Sequence, residues 1–353
     1  MMDRRSFMGA SIGAAATIGA FGTAPLLARG NSGTIDPIAY LDPELRPAAR
    51  QLLAGGNLAL SSDALPAMRA EGKASAQPTL PEIDVSKRTI PGAPGLPPVT
   101  VYVVNGGKAG SRPAILHTHG GGHILGSAEG ELRYLQELAR DLDCLLVTVE
   151  YRLAPETRYD GSIEDNYAAL RWLHANAVEL GADPSRIALL GESAGGTHAA
   201  LLAITARDRD EVPVLFQALV YPMLDDRTGS TRQMPPWIGA ILWDAAANRF
   251  GWEAFLGTKP GGTEIPVAGV PARIPDLSGL PPAWIGVGGA DLFVEEDVEY
   301  ASRLTEAGVP TELLVVPRAF HAFDRIVPDA AVSQRFTAAK MDALRRAFAR
   351  GAD

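Results

Sequence analysis

The chain has 353 residues, of which 46% are hydrophobic and 21% charged, the proportions of an ordinary soluble globular protein. Its net charge of −9, without a basic stripe, argues against nucleic acid as a partner, since nothing would neutralise the phosphates. The single cysteine, Cys144, excludes an internal disulfide, and its place in the apolar run Cys144–Val149 reads as a buried structural thiol.

At the N-terminus, Met2-Asp-Arg-Arg-Ser-Phe-Met8 carries the pair Arg4-Arg5, and no charged residue follows until Arg29. The interval is rich in Ala and Gly, the layout of a twin-arginine export signal over residues 1–29. That reading gives a periplasmic or secreted protein with no stable membrane insertion after export. The alternative is an uncleaved segment anchoring the protein in the membrane, because the uncharged run reaches spanning length.

Residues 30–80 hold two amphipathic helix-like pieces, Pro43–Leu53 and Ser62–Glu71, placed to fold over a pocket mouth. Glu82–Ile90 and Pro98–Val104 read as strands with a Pro/Gly-rich turn between them. From Ala114 the chain alternates. Strand Ala114–His117 precedes a helix near Glu131–Asp141, strand Cys144–Glu150 a helix over Ile163–Val178, and strand Ile187–Leu190 a helix over Ala199–Ala206. After strand Val214–Val220 the alternation breaks: residues 225–275 bring Trp237, Trp243, Phe250, Trp252 and Phe255 on helical pieces, without a strand. It resumes with strand Ala283–Val287, helix Val294–Ala307, strand Glu312–Val316 and a last helix near Asp329–Ala349. In helix 294–307, Val294, Val298, Ala301 and Leu304 recur at helical spacing and are expected to face the sheet. The pattern predicts an α/β fold: a mostly parallel sheet flanked by helices, with a catalytic body over 81–222 and 277–353. A helical cap would combine residues 30–80 with an insertion at 223–276.

Gly191-Glu192-Ser193-Ala194-Gly195 falls where a strand turns into a helix, which sets Ser193 on a tight bend with a helix N-terminus behind it. A serine hydroxyl needs a base to take its proton, and the base needs an acid to hold its ring. Asp291 ends the strand run Trp284–Gly289 and His321 follows strand Glu312–Val316, so both belong to loops at the rim that carries Ser193. The order Ser…Asp…His is that of α/β-hydrolases. Glu295 and Glu296 are nearby acids that read as a solvated helix face, and His174 and His198 suit surface or packing roles. Upstream, His119-Gly120-Gly121-Gly122 follows a strand, and successive glycines let backbone N–H groups turn inward together toward a developing oxyanion. The rival is a zinc hydrolase on the cluster His117, His119 and His123, since alternate strand residues share a side.

His119-Gly-Gly-Gly122, Tyr151-Arg-Leu-Ala-Pro-Glu156, Gly191-Glu-Ser-Ala-Gly-Gly196, Asp276-Leu-Ser-Gly-Leu-Pro-Pro282, Asp291 and His321 together resemble the hormone-sensitive-lipase-like family of bacterial esterases, within the α/β-hydrolase superfamily. The resemblance spans roughly residues 80 to 350. It implies Ser193 as nucleophile, His321 as general base and Asp291 as the orienting acid, with the amides of Gly121, Gly122 and Ala194 as an oxyanion hole. His119 would brace the loop that includes Gly120. The implied activity is carboxylic ester hydrolysis through an acyl-enzyme on small-molecule esters, with no metal and no cofactor, and the several aromatics of the cap suggest a modest apolar pocket suited to acyl groups of short to medium length. The same groups would serve amide, lactone or carbamate hydrolysis, and a catalytically silent binding module is the reading outside enzymes. A homodimer is among the states the sequence permits. Two positions depart from the family: His123 where an aromatic residue is usual, and Asp160-Gly161 where proline and small residues are common. His123 is expected to alter the acyl pocket or to leave a titrating group near its entrance.

Overall fold

The computed structural model describes residues 36–350 apart from 57, 58 and 109, so the export signal expected over 1–29 lies outside the described residues. Eight strands form one sheet: β1 (Val85–Ile90), β2 (Val99–Val104), β3 (Arg112–Thr118), β4 (Leu145–Glu150), β5 (Ala182–Glu192), β6 (Phe216–Val220), β7 (Ala283–Gly288) and β8 (Thr311–Val316). Their spatial order is β1-β2-β4-β3-β5-β6-β7-β8. The pairs β1–β2 and β2–β4 are antiparallel, and every later pair is parallel.

Crossover helices explain why the central strands read as continuous apolar runs: both faces of the sheet are covered. Along β4, Leu145, Val147 and Val149 join one apolar cluster while Leu146 joins the other, and β5 alternates in the same way. The first cluster takes Leu170 and Leu173 from helix α5 (Tyr159–Asn176) and Leu201 from α6 (Ala194–Arg209), with Leu304 from α8 (Val294–Glu306). The second takes Leu135 from α4 (Leu132–Leu142) and Phe336 and Leu344 from α10 (Ala331–Arg350). Each such leucine contributes about 1.5–3 kcal/mol by leaving water.

Three short helices precede the sheet: α1 (Pro37–Tyr40), α2 (Arg46–Ala54) and α3 (Leu65–Ala74). On α3, Arg69 donates to the carbonyls of Ile124 (2.8 Å) and Ala154 (2.7 Å) and pairs with Glu156 at 2.8 Å. Between β6 and β7 the chain forms α7 (Ala245–Leu256) and two single 3₁₀ turns, with no strand among the described residues. A four-residue helix α9 (Phe323–Ile326) follows His321.

Two expectations about helix faces need correction. On α8, Val298 is 43% exposed, and the buried side carries Glu296, Asp297, Tyr300, Ala301 and Leu304. The solvated-face reading suits Glu295 but not Glu296, whose Oε1 accepts from the backbone N–H groups of Leu224 (2.6 Å) and Asp225 (3.2 Å). The helix is rotated so that this carboxyl satisfies two amides at the start of the inserted segment. Likewise, Trp252 and Phe255 of that segment are fully buried and serve to seat it on the body, rather than lining an open pocket.

Candidate active site

β5 runs into α6 with Ser193 alone between them. Ser193 has φ 57° and ψ −122°, a conformation costing a non-glycine residue about 1–3 kcal/mol and kept only where the surroundings impose it. Its N–H donates to the Val220 carbonyl at 2.9 Å, and its own carbonyl accepts from Gly196 at 2.8 Å and Met223 at 3.0 Å. The flanking glycines are steric necessities. A Cβ on Gly191 would lie 2.2 Å from the Gly195 carbonyl oxygen, and one on Gly195 would lie 2.0 Å from that of Thr118.

The structure brings the three distant side chains into one hydrogen-bonded row. Ser193 Oγ lies 3.0 Å from His321 Nε2, and His321 Nδ1 lies 2.8 Å from Asp291 Oδ2. The other oxygen, Asp291 Oδ1, accepts from the Phe293 N–H at 3.0 Å. All three residues are buried. The imidazole is held edge-on by Tyr221 and Phe293, with ring centroids 4.9 and 5.2 Å away.

Beside the serine, the amides of Gly121, Gly122 and Ala194 have no acceptor among the described residues. Gly121 and Gly122 adopt φ 122° and 60°, which turn the loop between β3 and α4. His119 supports that loop: Nδ1 donates to the Gly120 carbonyl at 2.8 Å, and its ring stacks on Tyr151 at 4.2 Å. Tyr151 in turn donates its hydroxyl to the His119 carbonyl at 2.7 Å.

The histidines considered for zinc go separate ways. His117 is bound through Nε2 to Glu192 at 2.7 Å and through Nδ1 to Thr148 at 2.8 Å. His119 faces Tyr151, and His123 lies flat on Phe255 with centroids 3.9 Å apart. Among the described residues no three His, Cys, Asp or Glu side chains converge as metal ligands would. His123 also departs from the expected entrance position: it is 1% exposed, and burial, helped by the nearby His198, holds its imidazole well below its ordinary pKa. It is a neutral ring inside the protein.

Sequence reasoning missed the partners of Glu192. Burial works to raise its carboxyl, but the attraction and hydrogen bond of His117, with Lys340 and Arg325 farther off, pull it down to about 2. Its second oxygen accepts from the Tyr134 hydroxyl at 3.2 Å, and Lys340 Nζ donates to that hydroxyl at 2.8 Å. The turn that carries Ser193 is thus backed by a buried charge network. Glu192 stands within the motif, but its partners come from β3, α4 and α10, so no local spacing reveals them. A cavity of about 840 Å³, lined by Met68, Leu125, Gly126, Tyr134 and Arg325 among others, lies beside this network and does not include the triad.

Residues 115–325 match the family described as alpha/beta hydrolase fold. The carboxylesterase NlhH of Mycobacterium tuberculosis is 38% identical over 284 residues, covering 76% of this chain and 84% of that protein. The esterase LipI of the same species is 35% identical over 242 residues, covering 67% of this chain and 74% of its own. Among solved structures, a bacterial heroin esterase superposes with a TM-score of 0.80 at 38% identity, covering 89% of this chain and 99% of the other. The chain belongs to the α/β-hydrolase superfamily, as a member of its hormone-sensitive-lipase-like esterase family.

Proposed function

We propose that this carboxylic ester hydrolase works through an acyl-enzyme on Ser193. The observation that carries the reading is the unbroken row Ser193–His321–Asp291 beside three amides that have no acceptor among the described residues. Ser193 Oγ attacks the ester carbonyl while His321 Nε2 takes its proton, and the carbonyl oxygen, now negative, receives the N–H groups of Gly121, Gly122 and Ala194. The tetrahedral adduct collapses as His321 returns the proton to the leaving alcohol. Water then repeats the sequence and frees the acid. Asp291, itself fixed by the Phe293 amide, keeps the Nδ1 proton in place and stabilises the imidazolium.

The acyl side is proposed to be short to medium in length. In support, the Trp243 indole lies against Gly122, where a Cβ would come within 2.1 Å of the ring, so little room remains beside the oxyanion donors. We further infer export by the twin-arginine route, on the strength of Arg4-Arg5 and the uncharged run that follows. Ser193→Ala is expected to fold normally and to lose at least ~10³-fold in kcat on p-nitrophenyl acetate. Turnover surviving that substitution, or organophosphate labelling at a residue other than Ser193, would overturn the acyl-enzyme. A ladder of p-nitrophenyl esters from acetate to palmitate tests the acyl length, with activity expected to fall toward the long chains.

A further inference from the structure

We propose that His123 is a positioning residue that fixes the oxyanion glycines against the nucleophile turn, through a hydrogen bond to Thr197. The proposal rests on the reading of Gly121 and Gly122 as oxyanion donors. His123 follows Gly122 directly and adopts φ 67°, in the left-handed region that a non-glycine residue occupies only when held there. That turn sends its ring inward, between α6 and α7.

Each partner of the ring has a definite bearing on the site. His123 Nε2 is 3.0 Å from Thr197 Oγ1. The Thr197 hydroxyl donates to the Met223 carbonyl, which commits its only hydrogen. It must therefore accept from the histidine, which fixes the imidazole as the Nε2–H tautomer. Nδ1, correspondingly, makes no well-formed hydrogen bond among the described residues and has the Gly251 backbone as its polar neighbour. The chain of contacts then returns to the nucleophile, because the Met223 N–H donates to the Ser193 carbonyl at 3.0 Å. A single bridge thus joins the residue after the oxyanion glycines to Ser193 itself.

The opposite side of the loop is closed by α7 and the residues leading into it. Phe255 stacks on the His123 ring at an interplanar angle of 14°, and Trp252 meets it edge-on at 5.0 Å. Gly251 packs so tightly that a Cβ there would lie 2.6 Å from the Gly122 carbonyl oxygen. His123 is consequently the point at which the inserted segment, the glycine loop and the nucleophile helix are referenced to one another. A plain aromatic ring could keep the stack on Phe255. It could not make the bond to Thr197, and that difference separates positioning from filling.

The test compares His123→Phe, Thr197→Val and Thr197→Ser, using kcat and KM on p-nitrophenyl acetate and the affinity of a trifluoromethyl ketone. The ketone forms a tetrahedral adduct that draws on the oxyanion donors, whereas KM on a small ester does not. His123→Phe and Thr197→Val are each expected to lower kcat by about tenfold and to weaken the ketone by a similar factor, with KM within about twofold. Thr197→Ser keeps the hydroxyl and should restore both quantities. The double variant should lose no more than Thr197→Val alone, since that substitution already removes the bond to His123 together with the one to Met223. Wild-type kcat in His123→Phe would reduce the residue to packing and overturn the proposal. Should that variant fail to fold, wild-type ketone affinity in Thr197→Val does the same. Ser193→Ala serves as the control: if it stays active the acyl-enzyme reading has failed, whereas an inactive Ser193→Ala beside an unimpaired His123→Phe rejects the role of His123 alone.

Discussion

His198 should make this protein lose stability on the acid side of neutrality. The ring is buried on α6 between Tyr151, Phe255 and His123, with centroids at 4.2, 5.4 and 5.6 Å, and neither ring nitrogen has a hydrogen-bond partner among the described residues. Burial, with a smaller repulsion from His119, lowers its pKa from 6.5 to about 3. The unfolded chain takes up a proton at this histidine below pH 6.5, and the folded chain does not. Its contribution is therefore intact above pH 6.5 and drains away as the pH falls toward 3, at up to ~1.4 kcal/mol per pH unit. At pH 5 the loss amounts to ~2 kcal/mol. His198→Phe preserves the ring shape and removes the titration. Urea unfolding followed by tryptophan fluorescence, at pH 8 and at pH 5, should show the variant gaining ~2 kcal/mol on the wild type between the two conditions. An unchanged difference at the two pH values would mean that the folded protein protonates this ring as readily as the unfolded one, and the burial argument would fall.

Asp297 should act in the opposite sense. Burial first, and then the neighbouring carboxyls of Glu296 and Asp291, hold its carboxyl well above 3.8, and neither of its oxygens has a partner among the described residues. The folded chain keeps a proton there that the unfolded chain releases, so stability is lost as pH rises from about 4. Asp297→Asn should gain on the wild type by up to ~1.4 kcal/mol per pH unit over that interval, a trend that thermal melts at pH 5 and 8 would reveal or refute. Gly195→Ala places a Cβ 2.0 Å from the Thr118 carbonyl oxygen, and the yield of soluble, cooperatively unfolding protein should collapse. Recovery of a variant with wild-type melting would contradict that contact.

Much of the site is legible in the chain because parallel sheets deliver their loops to a common rim. Ser193, Asp291 and His321 each follow a strand of recognisable apolar type, so chain order and strand ends suffice to propose them together. Element boundaries were less accessible. β5 begins at Ala182 and α6 at Ala194, each five residues before its expected start, since helical bonding resumes immediately after the strained serine. Side-chain partners formed between distant elements were not accessible at all. His117 presented itself as a metal ligand because its actual partner, Glu192, lies on the neighbouring strand. On α8, hydrophobic spacing favoured Val298, but the helix turns Glu296 inward to bind two backbone amides 71 and 72 positions away in sequence. Aromatic residues at 237–255 suggested a lined pocket, whereas Trp252 and Phe255 are consumed in attaching the segment to the body.

The guanidinium of Arg69 bears on how short an active version of this enzyme can be. The family match begins at residue 115, and the whole sheet is contained from residue 85 onward, so either point invites truncation. Yet the carbonyls of Ile124 and Ala154, just beyond the glycine loop and in the Tyr151–Glu156 motif, take their hydrogen bonds from a side chain upstream of both boundaries. A fragment cut at the sheet would retain every reacting group and forfeit the brace beside it. On these contacts a truncation that keeps activity is expected to start no later than α3, although no strand and no signature residue lies there.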